Sequence, residues 1–333
     1  MTTRNRRSFL KTLATATTGL MVVTTDIHGL PINNQDRLGD LLPLRKLGKT
    51  GVDVTMLGVG GAHIGKSDEK TAQAILEAAL EGGVRFFDNA ESYNKGGAEE
   101  KYGKYLVPKY RDVAFIMTKS TAKDGKLAQQ HLEDSLRRMK TDYVDLWQIH
   151  AVTSPKDVDD RIANGVLEVA RKAKESGKAR FIGFTGHSDF HAHQRMLERT
   201  DILETCQMPI NCFDPSYKSF INNVLPTLVD RNMGILAMKS LSNGGFFGGT
   251  RHFNGGDNPK LVPEILTVEE ALHFVWSLPV SVLITGPDHA QMMKDKITVA
   301  KNFKQMQEDD RLALLDRVSK AGYDGKLVEF YKV

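Results

Sequence analysis

Short apolar runs alternate with longer amphipathic segments along most of this chain. Each run has the length of a strand and is bounded by polar or turn-forming residues, which predicts eight β-strands. The predicted strands span residues 55–59, 84–87, 113–118, 144–149, 179–184, 205–209, 234–238 and 281–284. A short hairpin precedes the first of them, with Gly48 and Gly51 flanking its turn.

The segments between the strands carry apolar residues at helical spacing. Residues 67–83 predict a helix that is capped by Ser67 and ends at Gly82. Segments 127–142, 166–178 and 268–278 have the same character. The alternation predicts a (β/α)8 TIM barrel with a short N-terminal β-hairpin and C-terminal helices. A doubly wound sheet is the alternative, but "GVGGAHIG" after the first strand is a poor match to its G-x-G-x-x-G motif.

The N-terminus has the composition of a targeting segment. Arg6 and Arg7 begin the sequence "RRSFLK", and the apolar run at 13–23 is too short to cross a bilayer, which needs about 20 residues. The segment resembles a bacterial twin-arginine signal peptide. The resemblance implies recognition by the twin-arginine export machinery and a periplasmic or extracellular location, with membrane anchoring if the signal is not cleaved. We therefore assign 1–35 to the signal and linker and 36–333 to the barrel.

Charge and cysteine usage exclude two classes of function. The formal net charge is +4, of which residues 1–26 supply +3, so the barrel has no basic excess that would predict a nucleic-acid surface. The only cysteines are Cys206 and Cys212. They do not form a CxxC motif, and the histidines are scattered, so we expect no metal site.

Three consecutive strands end in a titratable residue. Asp88 follows the second strand, Lys119 the third and His150 the fourth, and Tyr93 lies five residues after Asp88. The carboxyl ends of the strands form the active-site face of such a barrel, so these four side chains should share one cleft.

The four residue types suit protonation of an alkoxide as it forms from a carbonyl. A phenol has a pKa near 10, and a neighbouring ammonium should lower that pKa. Asp88 would keep Lys119 charged, and His150 would orient the carbonyl oxygen. No G-x-S-x-G nucleophile motif is present, which argues against acyl transfer.

The flanking sequences resemble those of the aldo-keto reductases. The matching stretches are "FFDNAESYNKGGAEEKYGKYL", "SLRRMKTDYVDLWQIHA", "ARFIGFTGHS", "CQMPIN" and "GILAMKSLSNGGF". The resemblance implies a (β/α)8 barrel and NAD(P)H-dependent reduction of a carbonyl. It also implies that Tyr93 is the general acid, that Lys119 and Asp88 tune it, and that His150 orients the substrate.

The same resemblance assigns residues to the nicotinamide. Thr185 replaces the usual serine that holds the carboxamide, Gly186 replaces the usual asparagine, and His187 follows. Gln207 matches a glutamine that also meets the carboxamide. Met238 stands where many relatives stack an aromatic ring on the nicotinamide, and core packing is its alternative role.

The phosphate-binding and adenosine-binding parts of the pattern come later in the chain. Lys239, Ser240 and Leu241 lead into a glycine-rich loop at 242–258, which predicts a lid over a ligand or a flexible surface loop. Gly286 fits the family pattern. Asp288 lies where a basic residue commonly meets the 2′-phosphate of NADP, so the choice between NADP and NAD stays open, with Lys294 or Lys296 able to compensate.

Three functions are compatible with the sequence. The first is an exported oxidoreductase for an aldehyde, ketone or sugar carbonyl. The second is an isomerase, epimerase or lyase that recycles a tightly bound nicotinamide, and the third is a dinucleotide-binding sensor. The substrate pocket should be formed by loops around His63, Tyr217, Phe246 and Phe247 and by the C-terminal tail.

Overall fold

Eight parallel strands close into a barrel in the computed structural model, which describes residues 34–242, 265–321, 325–329 and 331–332. The strands follow chain order around the barrel, and the last of them pairs with the first. They are β5 (Leu57–Gly60), β6 (Phe86–Asp88), β7 (Phe115–Ser120), β8 (Val144–Val152), β9 (Ala179–Gly186), β10 (Thr205–Pro209), β11 (Gly234–Met238) and β12 (Val282–Thr285). The predicted (β/α)8 fold is confirmed.

Two antiparallel pairs precede the barrel. They are β1 (Gln35–Asp36) with β2 (Gly39–Asp40), and β3 (Leu44–Lys46) with β4 (Asp53–Thr55). The second pair is the predicted hairpin. It takes up Thr55, which pairs with Leu44, so the first barrel strand starts at Leu57 rather than at the predicted residue 55.

The hairpin closes one end of the barrel. Leu47 and Val54 are buried in one cluster with the inward-facing Phe86 and Phe115, whose rings stack with centroids 4.9 Å apart. Removing this apolar surface from water stabilises the amino-terminal end of the barrel and leaves the carboxyl ends of the strands as its open face.

Helices cover the outside of the barrel. Their bounds are α1 (Gly61–Lys66), α2 (Glu69–Glu81), α3 (Gly97–Lys101), α4 (Val107–Tyr110), α5 (Gly125–Met139), α6 (Pro155–Ala163), α7 (Val166–Glu175), α8 (Phe190–Arg199), α9 (Phe220–Asn223), α10 (Leu225–Asp230), α11 (Val268–Trp276), α12 (Ala290–Lys301), α13 (Glu308–Lys320) and α14 (Gly325–Val328). None of the helices in the described ranges is long and apolar enough to cross a membrane.

The cap of α2 differs from the prediction by one residue. Asp68, not Ser67, is the N-cap, and its carboxylate accepts a hydrogen bond from the Thr71 amide. The Ser67 hydroxyl instead donates to the His63 carbonyl at the end of α1. Gly82 ends the helix, as predicted.

Strand β8 runs further than its apolar stretch indicated. A β-bulge lies between Ile149 and Val152, Ala151 has a φ of 55°, and pairing resumes between Val152 and Gly186 of β9. The bulge keeps His150 inside the strand, at the open face of the barrel. Bulges are common beside active sites because they redirect a side chain.

Candidate active site

The four predicted catalytic residues lie together at the open face of the barrel. Lys119 Nζ is 2.5 Å from Asp88 Oδ1 and 3.3 Å from the Tyr93 hydroxyl oxygen. The Tyr93 and His150 rings meet edge to face, with centroids 5.8 Å apart. The structure therefore brings side chains from three consecutive strand–loop units into one cluster.

Asp88 and Lys119 form an ion pair that is almost fully buried, with 3% and 1% of their side chains exposed. Burial raises the pKa of Asp88 and lowers the pKa of Lys119, because each charge loses its hydration. Their mutual attraction opposes both shifts. The Gly61 amide and the Gln207 side chain also donate to Asp88 and favour its charged form. The pair therefore depends on contacts from several strand ends.

Lys119 also donates to the main chain. Its ammonium is 2.5 Å from the Asn89 carbonyl oxygen, and the three contacts with Asp88, Asn89 and Tyr93 fix its position. Its Nζ also lies 4.8 Å from the centroid of the Tyr93 ring. A charge held this firmly can stabilise a phenolate that forms beside it.

The pKa of Tyr93 does not follow the sequence-based expectation. Burial raises it well above its ordinary value, and the charges of Asp88 and Glu91 act in the same direction. The expectation of a lowered pKa considered Lys119 alone and was wrong, because desolvation of the phenolate dominates. The consequence is that Tyr93 stays protonated, as a proton donor must be before it acts.

His150, which is buried, and His187, which is half-buried, are neutral imidazoles. Burial lowers the pKa of His150 well below its ordinary value and that of His187 to about 3. Their ring centroids are 5.7 Å apart, and neither Nδ1 has a hydrogen-bond partner in the described part of the chain. They present unused polar atoms at the barrel mouth, which a bound molecule could satisfy.

Glu91 belongs to the site but was not among the residues predicted from the sequence. Its Oε1 accepts a hydrogen bond from the Thr121 amide at 2.8 Å and lies 3.1 Å from His131 Nδ1. The carboxylate acts on the pKa of both Tyr93 and Lys119. Its place two residues before Tyr93, in an otherwise buried segment, was the signal that could have revealed it.

The residues predicted to hold the carboxamide lie on β9 and β10. Thr185 is fully buried and its hydroxyl oxygen accepts from the Ala151 amide at 3.1 Å. Gln207 donates to Asp88 while its Oε1 has no hydrogen-bond partner among the described residues. The Thr185 hydroxyl can donate to the carbonyl oxygen of a carboxamide, and the Gln207 oxygen can accept from its NH2 group.

Gly186 has a steric role in addition to its predicted one. A Cβ at this position would lie 2.4 Å from His193 Cε1 and 2.7 Å from the Val152 carbonyl oxygen. The imidazole of His193 thus occupies the space that an asparagine side chain would need. This packing explains why glycine replaces asparagine here.

The residues after β11 approach the same face. Met238 is buried at the end of the strand, and Lys239 follows it with a φ of 55°. The Ser240 hydroxyl is buried without a hydrogen-bond partner in the described ranges, and Leu241 packs against the main core. The glycine-rich loop that follows, with Phe246 and Phe247, lies outside the described residues.

The far end of the predicted cofactor site contains a contact between a histidine and a carboxylate. Asp288 Oδ1 lies 2.8 Å from His63 Nδ1, and the His63 ring covers Gly286, where a Cβ would come within 2.1 Å of it. Lys296 turns inward and donates to Thr285 Oγ1 at 2.6 Å. The Asp288 charge is therefore partnered, and His63 lies beside the predicted adenosine residues.

The described residues hold no metal site beside the candidate active site. They contain no group of three or more His, Cys, Asp or Glu that could hold a metal ion. A groove of about 510 Å³ is lined by Lys49, Asp201 and Arg231, at the amino-terminal ends of β10 and β11. It lies at the opposite end of the barrel from the tetrad.

Comparison with known proteins agrees with this geometry. The model of the Aldo/keto reductase family matches residues 56–312, and the chain therefore belongs to this family. The aldo-keto reductase YhdN of Bacillus subtilis is 32% identical over 214 residues, which cover 59% of this chain and 61% of that protein. An L-glyceraldehyde 3-phosphate reductase of Escherichia coli is 28% identical over 245 residues, 67% of each chain.

Solved structures show the same fold. A holo-form aldo-keto reductase from Bacillus halodurans superimposes with a TM-score of 0.69 at 21% identity, covering 83% of this chain and 96% of that one. An aldo-keto reductase from Klebsiella pneumoniae, solved with NADPH, gives a TM-score of 0.64 at 20% identity, with coverages of 84% and 95%.

Proposed function

We propose that this protein is an NAD(P)H-dependent oxidoreductase that reduces the carbonyl of an aldehyde, ketone or sugar, with Tyr93 as general acid. The observation that carries the proposal is the 3.3 Å contact between the Lys119 ammonium and the Tyr93 hydroxyl. A protonated phenol held beside a fixed positive charge can give up its proton at the moment an alkoxide forms.

Each residue has a distinct part in this reaction. His150, a neutral imidazole, donates a hydrogen bond to the substrate carbonyl oxygen and aligns it with the Tyr93 hydroxyl. Tyr93 transfers its proton to that oxygen as negative charge develops there. Lys119, held by Asp88, stabilises the resulting phenolate, and solvent returns the proton afterwards.

The residues at the mouth fit a nicotinamide dinucleotide, NADP or NAD. Thr185 and Gln207 have free hydrogen-bonding capacity for the carboxamide, and Gly186 and His187 border the same space. Met238 would offer a polarizable surface to the nicotinamide ring, and Lys239, Ser240 and Leu241 would meet the phosphates. Gly286 and Asp288 would meet the adenosine. When bound, the dinucleotide supplies the hydride that the carbonyl carbon accepts.

The deciding experiment measures the redox state of the nicotinamide with the purified protein. A panel of aldehydes, ketones and aldoses is added with NADPH or NADH, and the reduced nicotinamide and alcohol product are quantified. Reductase activity consumes one reduced nicotinamide per alcohol formed. An isomerase, epimerase or lyase that recycles its cofactor would convert substrate with no net oxidation. A sensor would bind the dinucleotide and convert nothing; the assembled tetrad argues against that role.

We also propose that the protein is exported by the twin-arginine route to the periplasm or beyond. The support is the "RRSFLK" sequence at Arg6 and Arg7, which lies outside the described residues. That route carries folded proteins, so a dinucleotide could be loaded before export.

A further inference from the structure

We propose that Lys239 is the recognition residue for a carboxylate or phosphate group on the substrate, so that the enzyme acts on anionic carbonyl compounds. This inference rests on the proposed reductase function and adds a substrate class to it. The resemblance assigns Lys239 to the cofactor site; this inference assigns its ammonium group to the substrate and leaves its main chain beside the cofactor.

The position of Lys239 is set by its main chain. It is the first residue after β11, and its left-handed φ of 55° turns the chain at the barrel mouth. Its carbonyl oxygen accepts hydrogen bonds from Asn211 Nδ2 at 3.2 Å and from the Ser242 amide at 2.7 Å. The backbone is therefore anchored through its carbonyl oxygen, and the side chain starts from a fixed position.

The ammonium has no anionic partner within the described part of the chain. In that part it lies over the Tyr331 ring, whose centroid is 4.6 Å away. Burial lowers the pKa of Lys239 to about 8. A partly desolvated ammonium with unused donors gains strongly from an anion that reaches it.

The nearest acidic side chains are already engaged. Glu329 accepts hydrogen bonds from Asn211 Nδ2 at 2.7 Å and from Lys332 Nζ at 2.6 Å. Asp214 lies 2.6 Å from the same Lys332 Nζ. These contacts engage both carboxylates within the C-terminal tail. The Glu329 charge still acts on Lys239 and raises its pKa against the effect of burial, but the two side chains form no ion pair in the described part of the chain.

Lys239 lies at the same open face of the barrel as the catalytic residues, because it directly follows the carboxyl end of β11. There the His187 ring contacts His150, which contacts Tyr93, and the Lys239 charge lowers the pKa of both imidazoles. The Nδ1 atom of His187 is buried without a hydrogen-bond partner in the described segments. A substrate whose carbonyl lies at Tyr93 can therefore place an anionic group near His187 and Lys239.

The test compares probes that differ in charge. Benzaldehyde, 4-carboxybenzaldehyde and 4-formylphenyl phosphate are assayed with wild type, Lys239→Met and Lys239→Arg. Methionine keeps an unbranched stem at the left-handed position and removes the charge. We expect the ratio of kcat/KM for either anionic probe to that for benzaldehyde to fall roughly tenfold to a hundredfold in Lys239→Met. Lys239→Arg should retain most of that ratio. Lys140→Met is the matched control, because Lys140 is exposed, has a left-handed φ of 57° and follows α5 on the side of the barrel away from the site, so its variant should keep the wild-type ratio.

Calorimetric titration makes the result independent of turnover. The same probes are bound to protein saturated with oxidised dinucleotide, and Lys239→Met should weaken only the anionic ones. If no probe is reduced but this binding difference is present, the reductase proposal fails and the anion site stands. Equal affinity of wild type and Lys239→Met for the anionic probes would overturn the anion site. Weakened dinucleotide binding with unchanged probe selectivity would assign Lys239 to the cofactor and also overturn it.

Discussion

The ammonium of Lys119 lies 3.3 Å from the hydroxyl oxygen of Tyr93, although the two residues belong to different strand–loop units. Lys119 is inside β7, and Tyr93 lies in the loop after β6. The contact joins a fixed charge to a half-buried phenol. Its consequences for rate, pH dependence and cofactor choice can be measured separately.

Asp88→Asn should act through Lys119. Asp88 raises the pKa of Lys119 against the effect of burial, so its loss should lower that pKa further. The charged lysine is then lost at a lower pH, and the alkaline limb of the kcat/KM profile should move to lower pH. Asp295→Asn, an exposed change on α12, is the control. If the alkaline limb of Asp88→Asn lay at the wild-type pH, the ion pair would not control the pH dependence.

Asp288→Arg should favour NADPH over NADH. The substitution replaces a carboxylate, now paired with His63, by a guanidinium that can bind a 2′-phosphate in two places. We expect the NADPH dissociation constant to fall by about tenfold more than that of NADH. Fluorescence titration of both dinucleotides measures it, with Asp142→Arg, an exposed change before β8, as control. Parallel changes for the two dinucleotides would place Asp288 away from the 2′ position.

His193 should make the protein less stable in acid. Burial lowers its pKa to about 4, while an unfolded histidine titrates near 6.5. As the pH falls through this window the unfolded state binds a proton that the folded state does not. The free energy of unfolding then decreases by about 1.4 kcal/mol per pH unit from this group.

His193→Phe removes that proton and keeps an aromatic ring between Phe184 and Phe220. Urea unfolding at several pH values gives the free energy of unfolding as a function of pH. In His193→Phe the slope of this plot should be shallower by the contribution of one proton. His191→Phe, an exposed position two residues earlier, should leave the slope as it is. Identical slopes for wild type and His193→Phe would show that His193 is protonated in the folded protein.

Replacing Arg6 and Arg7 by lysine should retain the protein in the cytoplasm. The export machinery reads the arginine pair, whereas Arg4→Lys, a change of the same kind outside it, should not matter. Cell fractionation measures the distribution. Periplasmic recovery of the double variant would contradict the proposed signal.

The barrel could be predicted because each strand has its own apolar run and the tetrad stands where those runs turn polar. Asp88, Lys119 and His150 were found in this way. The C-terminal end of β8 could not be predicted from the sequence, because the bulge at Ala151 depends on pairing with β9 rather than on local sequence.

The pKa shifts and charge pairings of the site were harder to predict than its residues. The local sequence placed Lys119 near Tyr93 but gave no measure of burial, and burial determines the direction of the phenol's pKa shift. The pairing of His63 with Asp288 joins residues that are 225 positions apart and follows from closure of the barrel between β5 and β12.

Substitution of Tyr93 by phenylalanine is the most direct test of the proposed function. The ring and its packing stay, and only the proton donor is lost. The account predicts that kcat for carbonyl reduction falls by about 10² to 10⁴, while the dinucleotide dissociation constant stays near the wild-type value. Tyr105→Phe removes the same hydroxyl group from a tyrosine outside the site, and this variant should keep its activity. Normal turnover in Tyr93→Phe would contradict the assignment of Tyr93 as the acid.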